Sequence, residues 1–130
     1  MVPTCDFGKA VTRQGTTMGY TLTEGYFSTE DEARAEIEAR GWTPITIELE
    51  PMETDLHWHD FDAVLYVLDG SVTIQLDDGT TMQCGAGARV ETPAGVVHRD
   101  SNTAYRAVIG LACEPTDMTR PINKEPALLA

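Results

Sequence analysis

An all-β domain, an antiparallel barrel or two-sheet jelly roll with one short helix ahead of it, is the fold this sequence predicts. Three observations predict it. From Trp42 onward apolar residues alternate with polar ones, the period of a half-buried strand. Gly and Pro break the same stretch into many short segments, with hairpin signals at Asp69-Gly70 and Asp78-Gly79. A helix signature stands at one place, before the strands begin.

Taken in chain order, the first 23 residues are weakly patterned, with a strand expected over 16–23 and glycines at 8, 15, 19 and 25 marking turns. Thr29 followed by Glu32 is a capping box, and Ala33, Ile37 and Ala39 lie among good helix formers until Gly41, which predicts a helix over 30–40 laid on a sheet or a neighbouring subunit. Ile45, Ile47 and Leu49 then alternate with Thr46, Glu48 and Glu50, and Val72, Ile74 and Leu76 repeat the pattern. Between them residues 63–68 are apolar on both faces, as for a strand with the barrel interior on one side and a second layer on the other. Strands over 80–84, 89–92, 97–100 and 103–112 complete the series. The tail carrying Pro115, Pro121 and Pro126 has no period and is expected to be extended or disordered. The organisation read from this is an N-terminal extension over 1–41, a barrel over 42–113 and a tail over 114–130.

Composition narrows the function classes. With 130 residues the chain makes one domain with a core of its own. Acidic residues number 21 against 9 basic ones, a net charge of -12 that repels phosphate backbones and anionic lipid, so neither nucleic acid nor membrane is an expected partner. No apolar run approaches the roughly 20 residues of a membrane span, and the first residues lack the character of a signal peptide, so a cytoplasmic protein is expected. Cys5, Cys84 and Cys113 form no Cys-x-x-Cys pair and are expected to be reduced thiols, with Cys84 buried as a small apolar residue.

The three histidines carry the chemistry. His57 and His59 sit two apart in Leu56-His57-Trp58-His59, so on a strand both imidazoles face one side. His98 is distant and joins them only through folding. A single inward histidine is ordinarily a hydrogen-bonded core residue; three at ligand spacing point to one metal ion.

These residues resemble the cupins, small jelly-roll barrels that usually hold a divalent metal. The family's second motif, Gly-x5-Pro-x-Gly-x2-His-x3-Asn, is matched by Gly87, Pro93, Gly95, His98 and Asn102. Its first motif is matched by His57, His59 and Gly70, but Pro51 replaces the leading Gly and Ala63 stands where the family has a glutamate ligand. The resemblance implies a metal site of His57, His59 and His98 holding one divalent ion, with iron, manganese, nickel, zinc or copper all compatible with imidazole. Asp62 is adjacent to the missing carboxylate but has outward parity, as has Asp60, so both read as loop residues and the site as three neutral histidines plus water. Such a site keeps its full positive charge and favours an anionic ligand.

Strand parity places Phe61, Ala63, Leu65 and Val67 on the pocket lining and turns Trp58 and Tyr66 outward into packing. Glu91 and Arg106 are candidates for a catalytic base and a carboxylate-binding cation, against their plainer reading as surface charges. The resemblance implies a small polar or anionic organic substrate, a homodimer, and a metal-dependent enzyme: a ferrous dioxygenase of the three-histidine kind, an isomerase or a lyase. The alternative is a non-catalytic module that binds a sugar or an organic acid.

Overall fold

The structure is a computed structural model that describes residues 14–17, 19–114 and 122–128. Its described strands form two antiparallel sheets. In the six-stranded sheet the order is β1 (Gln14–Thr17), β2 (Tyr20–Thr23), β8 (Arg89–Thr92), β5 (Ala63–Asp69), β10 (Tyr105–Leu111) and β3 (Thr43–Leu49). The four-stranded sheet runs β4 (Met52–Glu53), β9 (His98–Asn102), β6 (Ser71–Leu76) and β7 (Thr81–Gly85). This is the expected jelly roll, built as two facing sheets.

The core between the sheets joins Tyr20, Leu65, Val67 and Val90 of the larger to Val72, Ile74, Leu76, Met82 and Cys84 of the smaller. Alternation in β6 and β7 delivers these residues inward and leaves their neighbours at the surface. Strand β5 is apolar on both faces for the reason the sequence suggested. Leu65 and Val67 face the inter-sheet core, while Val64 and Tyr66 face helix α1 (Glu30–Ala39), packing on Ala33 and Ile37 in a second apolar cluster. Strand β3 lies at the sheet edge, so Leu49 is 37% exposed where alternation alone would bury it.

The helix begins as predicted. Glu32 N–H donates to Thr29 Oγ1, and Ser28 and Thr29 N–H donate back to Glu32 Oε1. Gly70, at φ 74°, makes the β5–β6 turn, and a Cβ there would stand 2.2 Å from the Ala104 carbonyl oxygen.

Three features differ from the sequence reading. The single strand expected over 16–23 is a hairpin, β1 and β2 turning at Gly19 (φ 86°), and β2 pairs with β8 within the larger sheet. Strand β4, two residues long, is too short to leave a period. The described part of the tail does not trail away: Lys124 bridges to Trp58, the Trp58 indole N–H donates to Glu125 O at 2.9 Å, and Pro126–Leu128 forms a 3-10 turn. Cys5, Pro115 and Pro121 lie outside the described residues. Cys84 is a buried thiol, and burial pushes it up to about 12. No described helix is long and apolar enough to cross a membrane.

Candidate metal centre

The loop ahead of β5 and the first residue of β9 build the site. His57 and His98 oppose each other in an antiparallel bridge, each N–H donating to the other's carbonyl at 2.8 Å. Opposed residues project to one side of the backbone, and the two rings stand 4.4 Å apart, centre to centre. His59 follows on the same side, 4.9 Å from His57 and 5.2 Å from His98. One ring nitrogen from each histidine lies within 4.8 Å of the others. The turn over 93–95 is stitched to the same loop: Gly95 N–H donates to His59 O at 2.8 Å and Ala94 N–H to Asp62 Oδ1 at 2.7 Å. Asp62 therefore fixes the approach to β9, in agreement with its outward parity, and Asp60 stands beside Lys124 Nζ at 4.0 Å.

Each ring is oriented by a backbone carbonyl at Nδ1. The acceptors are Asp55 O at 2.7 Å from His57, Ile122 O at 2.9 Å from His59 and Val96 O at 2.9 Å from His98. The Tyr20 hydroxyl oxygen also stands 3.0 Å from His98 Nδ1. A carbonyl oxygen only accepts, so each Nδ1 carries the proton and each neutral ring keeps Nε2 as a free acceptor. Burial favours that neutral form. It holds His98 down to about 4, and it lowers His59, with repulsion from His98 and His57 adding to the shift. Three neutral imidazoles with tied Nδ1 and free Nε2 atoms match what a divalent transition ion requires of histidine.

Beside the histidines lies a cavity of about 310 Å³. Its walls are chiefly apolar and include Phe61, Ala63 and Leu65, as parity predicted, together with Ile45, Ile47 and Ile109. Val67 does not reach it. That residue has the right parity but sits farther along β5, where the sheets close on one another and it is fully buried in the core. Tyr66 is buried on the opposite face, its hydroxyl donating to Glu36 Oε1 at 2.7 Å.

Neither charged candidate faces the cavity. Glu91 is engaged on the outer face of its sheet by Arg40 and Arg89. Arg106 is held by Glu30, Glu48 and Asp69 beside the helix. Even register on β10 turns Arg106 away from the side that Ile109 and Leu111 present to the cavity. The cavity's carboxylate is instead Asp100, two residues after His98 on the same face of β9, with Oδ2 3.9 Å from His57 Nε2. Parity counted from His98 would have found it. Burial raises the Asp100 carboxyl, opposed by His57 and His59. Tyr20 and Ile122 are further wall residues that sequence reading missed, since both come from segments without a clear period.

Comparisons with known proteins agree with this architecture. The Cupin domain family model matches residues 45–109, half of the chain. The crystal structure of RmlC from Streptococcus suis in complex with dTDP-D-xylose superposes with a TM-score of 0.53 at 16% identity, covering 83% of this chain and 72% of that one. A protein of unknown function of the DUF861 family from Pseudomonas syringae pv. tomato str. DC3000 gives a TM-score of 0.53 at 13% identity, over 79% of this chain and 45% of that one. At such identities the likeness is one of fold. No curated protein matches the chain.

Proposed function

This chain belongs to the cupin domain family, and from that premise we propose that it is a metal-dependent enzyme whose His57, His59 and His98 hold one divalent transition ion against a small organic substrate. The observation that carries the reading is the cluster of three histidines, two of them on the wall of an apolar cavity, whose ligand nitrogens lie within 4.8 Å of one another and whose rings are each fixed at Nδ1 by a carbonyl. Buried acceptors without donors are costly, and an ion at their meeting point satisfies all three.

An ion bound there supplies Lewis acidity and open positions for a polar or anionic group of the substrate. The chain's own residues do the rest. Ile45, Ile47, Phe61 and Leu65 take up the apolar part of the substrate and exclude water from it, which fits a small molecule with one polar end. Tyr20, with its hydroxyl beside His98, is a wall group able to hold a proton near the histidines. Dioxygenase, isomerase and lyase chemistry all suit this arrangement. The sugar nucleotide bound by RmlC belongs to that protein, and the substrate class here rests on the wall residues. The same reading carries a homodimer paired through a sheet edge, which light scattering in solution tests.

The deciding experiment is elemental analysis of untagged protein beside the His59→Ala variant. Near one equivalent of a transition metal in the parent and little in the variant supports the reading, and iron would direct screening to oxygen uptake with small thiols and diketones. No metal in either, even after anaerobic addition of ferrous, manganous and nickel ions, overturns it in favour of a metal-free binding module.

A further inference from the structure

We propose that Asp100 is the fourth, anionic ligand of the ion, taking from β9 the role that Ala63 cannot fill on β5; this rests on the reading that the three histidines hold a metal. Four observations lead to it. Asp100 lies on the cavity wall with His59 and His98, and its Oδ2 stands 3.9 Å from His57 Nε2. On a six-coordinate ion with bonds of about 2.1 Å, neighbouring ligand atoms stand about 3.0 Å apart and opposite ones about 4.2 Å, so the 3.9 Å between Asp100 Oδ2 and His57 Nε2 is close to the spacing of opposite ligands. The histidine nitrogens lie within 4.8 Å of one another, and ring rotations that bring their Nε2 atoms inward close them onto one ion.

The second observation is the chemistry of what meets there. His57 Nδ1 donates a hydrogen bond to Asp55 O, so in the neutral ring it is the lone pair on Nε2 that faces the Asp100 carboxylate. Among the described residues no hydrogen-bond donor reaches the Asp100 carboxylate. Electron-rich atoms brought together without a donor repel unless a cation lies between them.

Third, the backbone fixes the residue. Asp100 pairs with Ile74 of β6, and its N–H donates to Thr54 Oγ1 at 2.9 Å, so its half-buried side chain lies on the cavity wall with Ile45, Ile47 and Ile74. Fourth, the neighbouring acids are engaged elsewhere: Asp62 accepts from Ala94 N–H, and Asp60 stands beside Lys124. An anionic fourth ligand halves the net charge of the centre relative to three neutral histidines, and on a six-coordinate ion it leaves two positions for substrate.

The test compares the parent with Asp100→Asn, Asp100→Ala and His59→Ala, loaded with cobalt(II) as a spectroscopic probe and titrated calorimetrically with zinc. The expected result is one equivalent in the parent, affinity lowered roughly 10–100-fold in Asp100→Asn, and a changed cobalt absorption band. Metal-free Asp100→Asn should melt at or above the parent's temperature, with a smaller rise on zinc addition, a pattern that mere loss of a structural contact would not give. Parent-like affinity and an unchanged cobalt band in both Asp100 variants would overturn the assignment while leaving the histidine site standing. Absence of binding in the parent would remove the histidine reading and Asp100 with it.

Discussion

Acid should destabilise the metal-free protein through His98, and the size of the effect follows from the site. Burial moves this imidazole from its ordinary 6.5 to about 4 in the folded chain. The folded state therefore binds fewer protons than the unfolded state over that window, and stability falls as pH drops through it. The contribution is fully present above the unfolded value and exhausted below the folded one. Between about pH 7.5 and about pH 4.5 the loss from this group is roughly 2–3 kcal/mol, a large share of the 5–15 kcal/mol of a typical domain. His59, lowered for the same reason, acts in the same direction. Asp100, whose carboxyl is raised, acts oppositely near its own titration because its proton is held more tightly in the fold. Urea titrations of chelator-treated protein at the two pH values measure the difference. The His98→Gln variant should be less stable in absolute terms and lose most of this slope. Equal stability of the parent at both pH values, or an undiminished slope in the variant, would refute the reasoning.

Other perturbations test how the fold supports the centre. Ile37→Ala removes a fully buried side chain between the helix and Val64, Tyr66 and Val108, and should cost roughly 2–5 kcal/mol by urea denaturation. Gly70→Ala places a Cβ 2.2 Å from the Ala104 carbonyl at φ 74°, so a loss of at least about 2 kcal/mol is expected, read as a lowered melting temperature. Trp58→Phe deletes the indole N–H bond to Glu125 O, loosening the segment whose Ile122 carbonyl orients His59. Zinc affinity should fall by about tenfold with little change in urea midpoint.

Local rules made much of this legible. The capping box of Thr29 and Glu32 and the paired apolar positions Ala33 and Ile37 mark the helix, because hydrogen bonds within one turn and the spacing of 3.6 act inside a short window. Alternation puts Phe61, Ala63 and Leu65 on one side of the chain, and all three lie in the cavity wall. It failed for Val67 because parity gives a direction and not a depth: how far the sheets have closed at that level decides whether an inward side chain lines a cavity or fills a core. Glu91 and Arg106 were candidates on charge alone, and their plainer reading as surface charges agrees with the ion pairs they make outside. Tyr20 was hidden by a hairpin too short to leave a period.

The sequence alone determined that strands would dominate after Trp42, that Asp69-Gly70 and Asp78-Gly79 would turn, and that His57 and His59 would share a side, since each follows from interactions among near neighbours. Only the tertiary structure decided that His98 opposes His57, that His59, His98 and Asp100 meet on the cavity wall, and that the Ile122 carbonyl, 63 residues from His59, fixes that ring. These relations depend on strand register and on the return of the chain's end to the sheets, and both are set by the packing of the whole domain rather than by any local run of residues.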